Sequence, residues 1–508
     1  MTLISFRFLI FVIALLFLYY IFPKKYRWTI LLLGSVFYYY ISAKKLIIFI
    51  LMSTTIIYVV GLILTNINKK IKLLNKEENK KEVSKLKRNK KIIVILGILV
   101  NISFIIVTKY SGFVIENINN IFKTSITITN ILLPLGISYY ILEAISYITD
   151  IYRGKYEALK NPFKIALYLL YFPKIIEGPI SRFNDINKDL FENNKLDFNS
   201  IIIGCDLIVL GLFKKMVIAD RAGIFVNNVF GNNYGGITII FAMILYTIQI
   251  YAEFGGCIDI VRGVSMLFNV RLPENFKRPF FSKSIQEFWR LWHITLGNWL
   301  KEYVFYPVSL SKINRKVFEF SKKKFNNYLF RFISAAFPLF FVWIVNGIWH
   351  GASYKYLAYG MYYYIIMMIG LLFKPLFDKF LKKIKKDSLV LNFLRIVRTI
   401  IIVIIGMTLF RASSINEFFT ILSNVFKNGN GILEYGLTNI DFIILIITNL
   451  FILIISILCE KNIINIEKGF TNNPLLRSVV YTLLICTIVI LGIYGEGYDA
   501  SNFIYGAF

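Results

Sequence analysis

Long apolar segments alternate with short polar, lysine-rich loops along this chain. A membrane-spanning helix needs about 20 mostly apolar residues, because lipid offers no hydrogen-bond partners to backbone N–H and C=O groups. Segments of this kind lie at 3–22, 46–65, 92–109, 131–149, 201–219, 237–254, 332–349, 356–373, 396–410, 442–458 and 479–494, with a shorter one at 28–41. The pattern predicts an all-α polytopic membrane protein with roughly ten to thirteen membrane helices, some of them re-entrant.

Composition supports this class and narrows the partners. The 508 residues are 57% hydrophobic, with a mean hydropathy of +0.64, far more apolar than a soluble domain. The net charge of +29 could suggest nucleic acid, but the basic residues gather in loops between apolar segments. That distribution is typical of cytoplasmic loops facing anionic lipid, so we expect membrane lipids and no nucleic acid as partners. The four cysteines are scattered without CxxC spacing, which argues against a disulfide framework and a zinc site.

The loop 66–91 sets the expected orientation in a cell membrane. It carries many lysines against three glutamates, so the positive-inside rule places it in the cytoplasm. It is either a solvated tether or a docking site for an acidic partner or anionic lipid. Counting crossings back from it places the N-terminus outside. The first apolar segment runs into Pro23 and Lys24 without a small-residue cleavage site, so we interpret it as a retained anchor.

Two apolar regions contain polar groups that cannot face lipid. Glu143 and Ser146 are three positions apart, on one face of the helix predicted over 131–154. That face is either an interhelical hydrogen-bond contact or a substrate wall. The segment 171–182 places Lys174 and Glu177 among prolines and a glycine. It should form a broken element buried against protein.

The chain has only two histidines, and each directly follows a tryptophan. His293 lies in FWRLWHITLGNW at 288–299, and His350 lies in the apolar run 337–360. A lone histidine on an apolar helix is more often a packing residue than a ligand. Two histidines in such similar settings, flanked by glycine and polar groups, favour a functional site.

Polar residues upstream of His293 predict how its segment folds. Glu253, Asp259 and the paired glycines at 255 and 256 suggest a helix that loosens or bends where another element approaches closely. Ser284 and Glu287 have capping-box spacing, so a helix should begin there and carry Trp289 and His293 on one face. That helix is too polar to face lipid, so it should line a cavity or lie at the cytoplasmic interface.

Several motifs in this chain resemble the membrane-bound O-acyltransferase family, in the branch of alginate O-acetylase and the D-alanyl transfer protein. They are LPENF at 272–276, EFWRLWHITLGNWLKEYVFYP at 287–307, GIWHGAS at 347–353, PLGISYY from 134, GPISRF from 178 and the terminal FIYGAF. The resemblance covers nearly the whole chain. It implies a helical domain in which a cytoplasmic donor tunnel meets an outer acceptor funnel. The resemblance also implies that His350 matches the catalytic histidine of the family and that His293 matches the second histidine of the family. Departures at Arg290-Leu291, at 301–303 and at 251–256 bear on the substrate more than on the reaction type.

The chemistry of acyl transfer agrees with this resemblance. A buried imidazole stays neutral at pH 7, because desolvation disfavours its charged form, and can accept the proton of an acceptor hydroxyl. We expect His350 to be this base, while His293 binds the donor, orients the acceptor or shuttles a proton. The sequence shows no Gly-x-Ser-x-Gly elbow, which favours direct transfer. The two histidines should lie together around one cavity, and the expected tunnel or donor-binding residues are Trp289, Arg290, Trp292, Asn346, Trp349 and Glu253.

The predicted function is transfer of an acyl group, acetyl in first place, from a cytoplasmic thioester to a hydroxyl outside the cell. Acetyl-CoA is the expected donor, with no permanently bound cofactor, and a D-alanyl carrier protein is the alternative. The acceptor is a cell-surface polysaccharide or a secreted or membrane-anchored SGNH-type partner that relays the group. A proton-coupled transporter would be a different class, but we find no internal repeat. The predicted domain is single, over 1–508, with N-terminal helices 1–130, a catalytic core 131–375 and C-terminal helices 376–508.

Overall fold

The computed structural model of the protein describes residues 1–127, 132–192, 195–232, 234–325, 327–381, 388–429, 431, 435–466 and 473–494. These residues form helices and connecting turns, and the one strand-like contact among them is an isolated antiparallel bridge between Phe276 and Trp292. The predicted all-α class is therefore confirmed. The chain packs into two compact units.

The first unit comprises Met1–Ile208 and Ile260–Pro273. Its helices are α1 (Phe6–Ile21), α2 (Arg27–Ala43), α3 (Ile47–Lys76), α4 (Lys80–Ile105), α5 (Ser111–Phe122), α6 (Ile137–Arg153), α7 (Pro162–Leu170), α8 (Phe183–Phe191) and most of α9 (Phe198–Leu212). A wide, π-type turn at Ile106–Tyr110 separates α4 from α5.

The second unit comprises Val209–Asp259 and the described residues from Glu274 onwards, apart from the chain end. Its helices are α10 (Asp220–Val229), most of α11 (Gly236–Leu267), α12 (Ile285–Leu291), α13 (Ile294–Leu300), α14 (Tyr306–Ser309), α15 (Lys312–Lys324), α16 (Asn327–His350), α17 (Tyr354–Leu372), α18 (Lys374–Leu381), α19 (Leu389–Arg411), α20 (Ile415–Asn424), α21 (Asn439–Glu460) and α22 (Pro474–Leu491). The predicted division of the chain at 130 and 375 by role stays a prediction.

Seven helical runs among the described residues are long and apolar enough to cross a membrane. They are Lys24–Lys76, Lys80–Phe122, Gly236–Leu267, Tyr328–His350, Leu389–Arg411, Asn439–Glu460 and Pro474–Leu491. The number is below the ten to thirteen predicted, partly because the 53-residue run Lys24–Lys76 contains both α2 and α3. In addition, α1 has only 16 residues. The protein is a multi-pass membrane protein.

The basic segment 66–91 is almost wholly helical, although the sequence suggested a loop. Helix α3 continues to Lys76, and α4 begins at Lys80. Asn79 caps α4, since its side chain accepts a hydrogen bond from the backbone N–H of Glu82 at 3.3 Å. Lysine, glutamate and leucine are good helix formers, and one turn therefore suffices to reverse the chain. The lysines of this segment lie on an exposed helical hairpin.

A buried ion pair organises the first unit. Helix α7 ends at Leu170, and the segment 171–182 is irregular and buried, as predicted. Lys174 donates to one carboxylate oxygen of Glu143 on α6, and the backbone N–H of Ser181 donates to the other at 3.0 Å. Of the two interpretations open for the Glu143 face, the structure supports an internal hydrogen-bond contact.

Helix α11 continues without interruption through its paired glycines. A Cβ on Gly256 would lie 2.7 Å from the carbonyl oxygen of Gly211, so the close approach predicted there is real. Because Gly256 has no side chain, the neighbouring helix can approach without distorting α11, which runs unbroken over 32 residues. The expected close approach is confirmed, and the expected loosening or bending of the helix stays a prediction.

Candidate active site

The backbone at His293 turns sharply between two short helices. Helix α12 ends at Leu291, and His293 adopts the left-handed conformation, with φ 49° and ψ 51°, before α13 begins. Trp292 pairs with Phe276 in the antiparallel bridge, which holds the chain away from a helical path. The prediction that Trp289 and His293 share one helical face was therefore wrong. A left-handed conformation costs a non-glycine residue about 1 kcal/mol or more, and such residues cluster at functional sites.

The start of α12 follows the capping prediction in part. The Ser284 side chain accepts from the backbone N–H of Glu287 at 3.1 Å. The Glu287 carboxylate accepts instead from the backbone N–H of Lys283 at 2.7 Å, one residue before the position expected. The helix begins where the sequence placed it, and the reciprocal half of the box is shifted by one residue.

Asn275 fixes the imidazole of His293. Its side-chain oxygen lies 3.1 Å from His293 Nδ1, and it also accepts from the backbone N–H of Thr295 at 3.1 Å and from the Thr295 hydroxyl at 2.9 Å. Asn275 is 1% exposed and His293 is 3% exposed. His293 lies outside the seven candidate membrane spans, and burial lowers its pKa to about 3. The imidazole is therefore neutral at pH 7.

His350 is the last residue of α16 and lies among aromatic rings. Its ring centroid is 5.1 Å from that of Phe410 and 5.6 Å from that of Tyr359. The following glycine is required, because a Cβ on Gly351 would lie 2.4 Å from the ring of Tyr356. His350 is only 3% exposed, so water has little access to its ring.

The two histidines come together at one tryptophan. The Trp349 ring centroid lies 5.5 Å from that of His293 and 5.0 Å from that of His350. The predicted proximity of the two imidazoles is therefore found in the structure, although α13 and α16 are separated by α14 and α15. A cavity or tunnel joining them stays a prediction.

The other two expected tryptophans occupy different surroundings. Trp289 contacts the rings of Trp343 and Tyr363, at 5.2 and 4.8 Å, and its Nε1 is buried without a hydrogen-bond partner among the described residues. Trp292 is 1% exposed and packs against Phe276 at 5.0 Å. Trp289 therefore faces α16 and α17, whereas Trp292 belongs to the packed core beneath His293.

The three remaining expected site residues differ in their burial and in their partners. Asn346 lies one turn before His350 on the same face of α16, is 4% exposed, and its Nδ2 has no hydrogen-bond partner among the described residues. Arg290 is exposed at the end of α12. Glu253 is buried and pairs with Lys215 at 3.2 Å, and Lys215 also binds Asp220 at 2.7 Å. The structure thus gives Glu253 an internal partner.

Sequence reasoning missed two residues that touch His293. Asn275 entered only as part of the LPENF motif, and Phe254, whose ring lies 4.9 Å from His293, had no distinguishing local signal. The Phe254 ring could not have been placed without knowing that α11 passes beside α13. For Asn275, its position within the strongly matching LPENF motif was the available signal.

These observations define a multi-pass helical membrane protein whose two histidines are buried at one aromatic site. The model of the membrane-bound O-acyltransferase family, MBOAT, matches residues 157–414, which include both histidines. The chain belongs to this family, and the resemblance drawn from its motifs is confirmed.

Three relatives have names that describe related acyl transfers. The chain is 31% identical over 347 residues to a probable alginate O-acetylase of Pseudomonas putida, covering 66% of this chain and 65% of that protein. It is 28% identical over 308 residues to the peptidoglycan O-acetyltransferase of Helicobacter pylori, covering 55% of each. It is 29% identical over 264 residues to the teichoic acid D-alanyltransferase of Bacillus subtilis, covering 50% of this chain and 62% of that protein. The matched part thus spans somewhat less than two thirds of each relative.

Proposed function

We propose that this protein transfers an acyl group, acetyl in first place, from a cytoplasmic thioester to a hydroxyl on the outer side of the membrane. The observation that carries the proposal is the pairing of two buried histidines across Trp349 in a member of the acyltransferase family. Two of the three relatives above are named as O-acetyl-transferring proteins, which favours acetyl over D-alanyl. Acetyl-CoA is then the donor.

In the proposed reaction His350 acts as the general base. It takes the proton of the acceptor hydroxyl as the hydroxyl oxygen attacks the thioester carbonyl carbon. The new C–O bond forms, the C–S bond breaks, and the sulfur leaves with the bonding electron pair. The proton held by His350 can then pass to the departing thiolate, which leaves the imidazole neutral for the next cycle. No covalent acyl-enzyme is needed.

Two buried donors are suited to the negative charge that develops on the carbonyl oxygen. Asn346 Nδ2 and Trp289 Nε1 both carry N–H groups without hydrogen-bond partners among the described residues. A preorganised donor of this kind stabilises the oxyanion more than the ground-state carbonyl. The Trp349 ring, in contact with both imidazoles, would exclude water and so limit hydrolysis of the thioester.

The charge distribution supports the proposed sidedness. The exposed lysines of the α3–α4 hairpin and those at the end of α15 suit the cytoplasmic face and the phosphates of acetyl-CoA. Helix α16 then starts inside, and its 24 residues rise about 36 Å to His350. Because the hydrocarbon layer is only about 30 Å thick, His350 would lie towards its outer side, so the thioester would be presented most of the way across the layer and the acceptor would meet it from outside. With the hairpin inside, the N-terminus lies outside.

A different donor remains the second candidate. The relationship to a teichoic acid D-alanyltransferase makes a D-alanyl carrier protein the alternative source of the acyl group. The acceptor in either case is a hydroxyl of a cell-surface polymer, reached directly or through a secreted or membrane-anchored SGNH-type partner. Supplying purified protein with acetyl-CoA or with a D-alanyl carrier protein separates these donors, since one of them should support turnover.

The decisive experiment is the variant His350→Ala. Removal of a positioned general base should lower turnover by about 10² to 10⁴-fold. The measurement is release of free CoA thiol from acetyl-CoA by purified, detergent-solubilised protein in the presence of a polysaccharide acceptor. Ser334→Ala is the matched control, because Ser334 lies about four turns earlier on α16 and its hydroxyl donates to the carbonyl of Phe330 within the same helix. Near-normal turnover in the His350 variant, with the protein folded, would refute the assignment.

A further inference from the structure

The surroundings of His293 determine which of its two ring nitrogens carries the proton. We infer that Asn275 is a positioning residue that holds His293 in the tautomer protonated at Nδ1, leaving Nε2 as a hydrogen-bond acceptor for an O–H or N–H group of the substrate. The tautomer follows from geometry alone. Its use in acyl transfer rests on the proposed function.

The hydrogen bond from Thr295 fixes the orientation of the Asn275 amide. The backbone N–H of Thr295 points at one side-chain atom of Asn275 at 3.1 Å. A backbone N–H can only donate, so that atom must be the amide oxygen and not the amide nitrogen. The Thr295 hydroxyl at 2.9 Å is compatible with the same assignment, since it donates to that oxygen as well.

The orientation of the Asn275 amide determines which ring nitrogen of His293 carries the hydrogen. An amide oxygen can only accept, and Nδ1 lies 3.1 Å from it, so Nδ1 must carry the hydrogen. A doubly protonated ring is disfavoured because His293 is 3% exposed, and the charged form would lose its hydration. The neutral ring with a hydrogen on Nδ1 is the remaining form, and its Nε2 carries a free lone pair.

The other ring nitrogen of His293, Nε2, is left available to a substrate. This atom is buried and has no hydrogen-bond partner among the described residues. The rings of Phe254 and Trp349 lie against the imidazole, at centroid distances of 4.9 and 5.5 Å. A buried acceptor without a partner is costly, and such atoms call for an explanation. A substrate group that donates to Nε2 would remove this cost when it binds.

This assignment narrows the roles open to His293. A neutral imidazole with a lone pair on Nε2 cannot donate from that atom to the oxyanion. It can accept from the acceptor hydroxyl or from an amide N–H of the thioester donor, and it can receive a proton. The geometry therefore gives His293 an accepting role and leaves donation to groups such as Asn346 Nδ2.

Asn275 also holds the main chain in place. Its carbonyl oxygen accepts from the backbone N–H of Ile294 at 3.0 Å, while its side chain accepts from Thr295. One residue thus caps the start of α13 and supports the left-handed conformation of His293. Removing Asn275 could therefore disturb α13 as well as the tautomer, and a variant that keeps the acceptor oxygen is needed.

The test uses nitrogen NMR of the whole protein labelled with ¹⁵N-histidine and solubilised in detergent. With two histidines in the chain, the His350→Ala variant shows the signals of His293 alone. The expected spectrum at neutral pH has a protonated, pyrrole-type Nδ1 and an unprotonated, pyridine-type Nε2. A proton on Nε2, or a doubly protonated ring, would overturn the inference whether or not the protein is an acyltransferase.

Variants separate positioning from general packing. Asn275→Ala should release the ring, so that the Nδ1-protonated signal is lost or shares intensity with the other tautomer. Asn275→Asp keeps an acceptor oxygen and should restore protonated Nδ1. Asn101→Ala removes an equally buried asparagine that bonds Ser53 and Gly97, far from the site in sequence, and should leave the spectrum unchanged. An Asn275→Ala protein that is folded and keeps the wild-type tautomer would refute the role of Asn275.

Adding coenzyme A shows which substrate donates a hydrogen bond to His293 Nε2. If an N–H group of the acyl donor binds Nε2, adding saturating CoA should move the Nε2 signal while Nδ1 stays protonated. If the acceptor hydroxyl supplies it, the Nε2 signal should move with the polysaccharide and not with CoA. Failure of both to move Nε2 would refute the accepting role.

Discussion

Two buried polar clusters in this protein are built in opposite ways. In the first unit, both carboxylate oxygens of Glu143 are engaged, one by Lys174 and one by the backbone of Ser181. In the second unit, His293 Nε2, Asn346 Nδ2 and Trp289 Nε1 are buried without hydrogen-bond partners among the described residues. Native proteins satisfy nearly all such groups with protein or ordered water, so the first cluster is complete by itself, whereas the second offers polar atoms that a ligand or water would satisfy.

The difference shows why polarity in an apolar segment is not enough to identify a site. Glu143 and His350 both interrupt apolar helices, and either could have lined a substrate path. Membrane interiors make any such group costly, so it must be satisfied by protein or serve a function. The partners decide which case holds, and those partners come from other helices.

The largest effect on folding is expected from Glu143→Gln. It leaves the Lys174 ammonium buried without its carboxylate, which should reduce stability by about 3 to 5 kcal/mol. Thermal unfolding in detergent measures this loss, while activity per folded molecule should stay near normal. Adding Lys174→Met should recover part of the stability, because no buried charge then remains. A stable but inactive Glu143→Gln protein would show that the first cluster also serves catalysis.

Asn346→Ala should have the opposite effects: a loss of activity with little change in stability. Loss of one oxyanion donor typically lowers kcat by about 10² to 10³-fold. Folding should hardly change, because Asn346 Nδ2 makes no hydrogen bond to the described protein. Steady-state kinetics with acetyl-CoA and the melting temperature report the two effects separately, with Ser334→Ala again as the control on α16. Unchanged kcat would remove Asn346 from the site.

Glu253→Gln tests a residue that the sequence assigned to donor binding. Lys215 would lose one charged partner and keep Asp220, so we expect a loss of about 1.5 to 3 kcal/mol in stability. The KM for acetyl-CoA should stay unchanged, because the Glu253 carboxylate is already engaged inside the protein. A raised KM with unchanged stability would support the donor-binding prediction instead.

The smallest effect is expected from a cysteine at Ser84 in a background without the four native cysteines. Ser84 is exposed on the basic hairpin, so Ser84→Cys should leave folding and activity unchanged. A membrane-impermeant thiol reagent should label it only after the cells are opened, because the surrounding lysines oppose translocation. Asn416→Cys, exposed after the end of α19 that the proposed orientation places outside, is the matched position and should be labelled in intact cells. Labelling of Ser84→Cys from outside would reverse the proposed orientation.

The class of the protein, most helix positions and the importance of the two histidines could be predicted from the amino-acid pattern. These follow from local physical chemistry: apolar runs must be helical in lipid, and an imidazole in such a run needs a reason. The motifs around His293 and His350 also carried the family. The start of α12 at Ser284 was predictable because capping depends on residues four apart or closer.

The assembly of the site depends on contacts between distant parts of the chain. The turn at His293 depends on Phe276 and Asn275, which precede it by 17 and 18 positions (293 minus 276, and 293 minus 275). The partner of Glu253 comes from the turn after α9, and the Trp349 ring joins imidazoles from separate elements. Local pattern cannot specify such contacts, because the energy of a buried polar atom depends on which distant group reaches it.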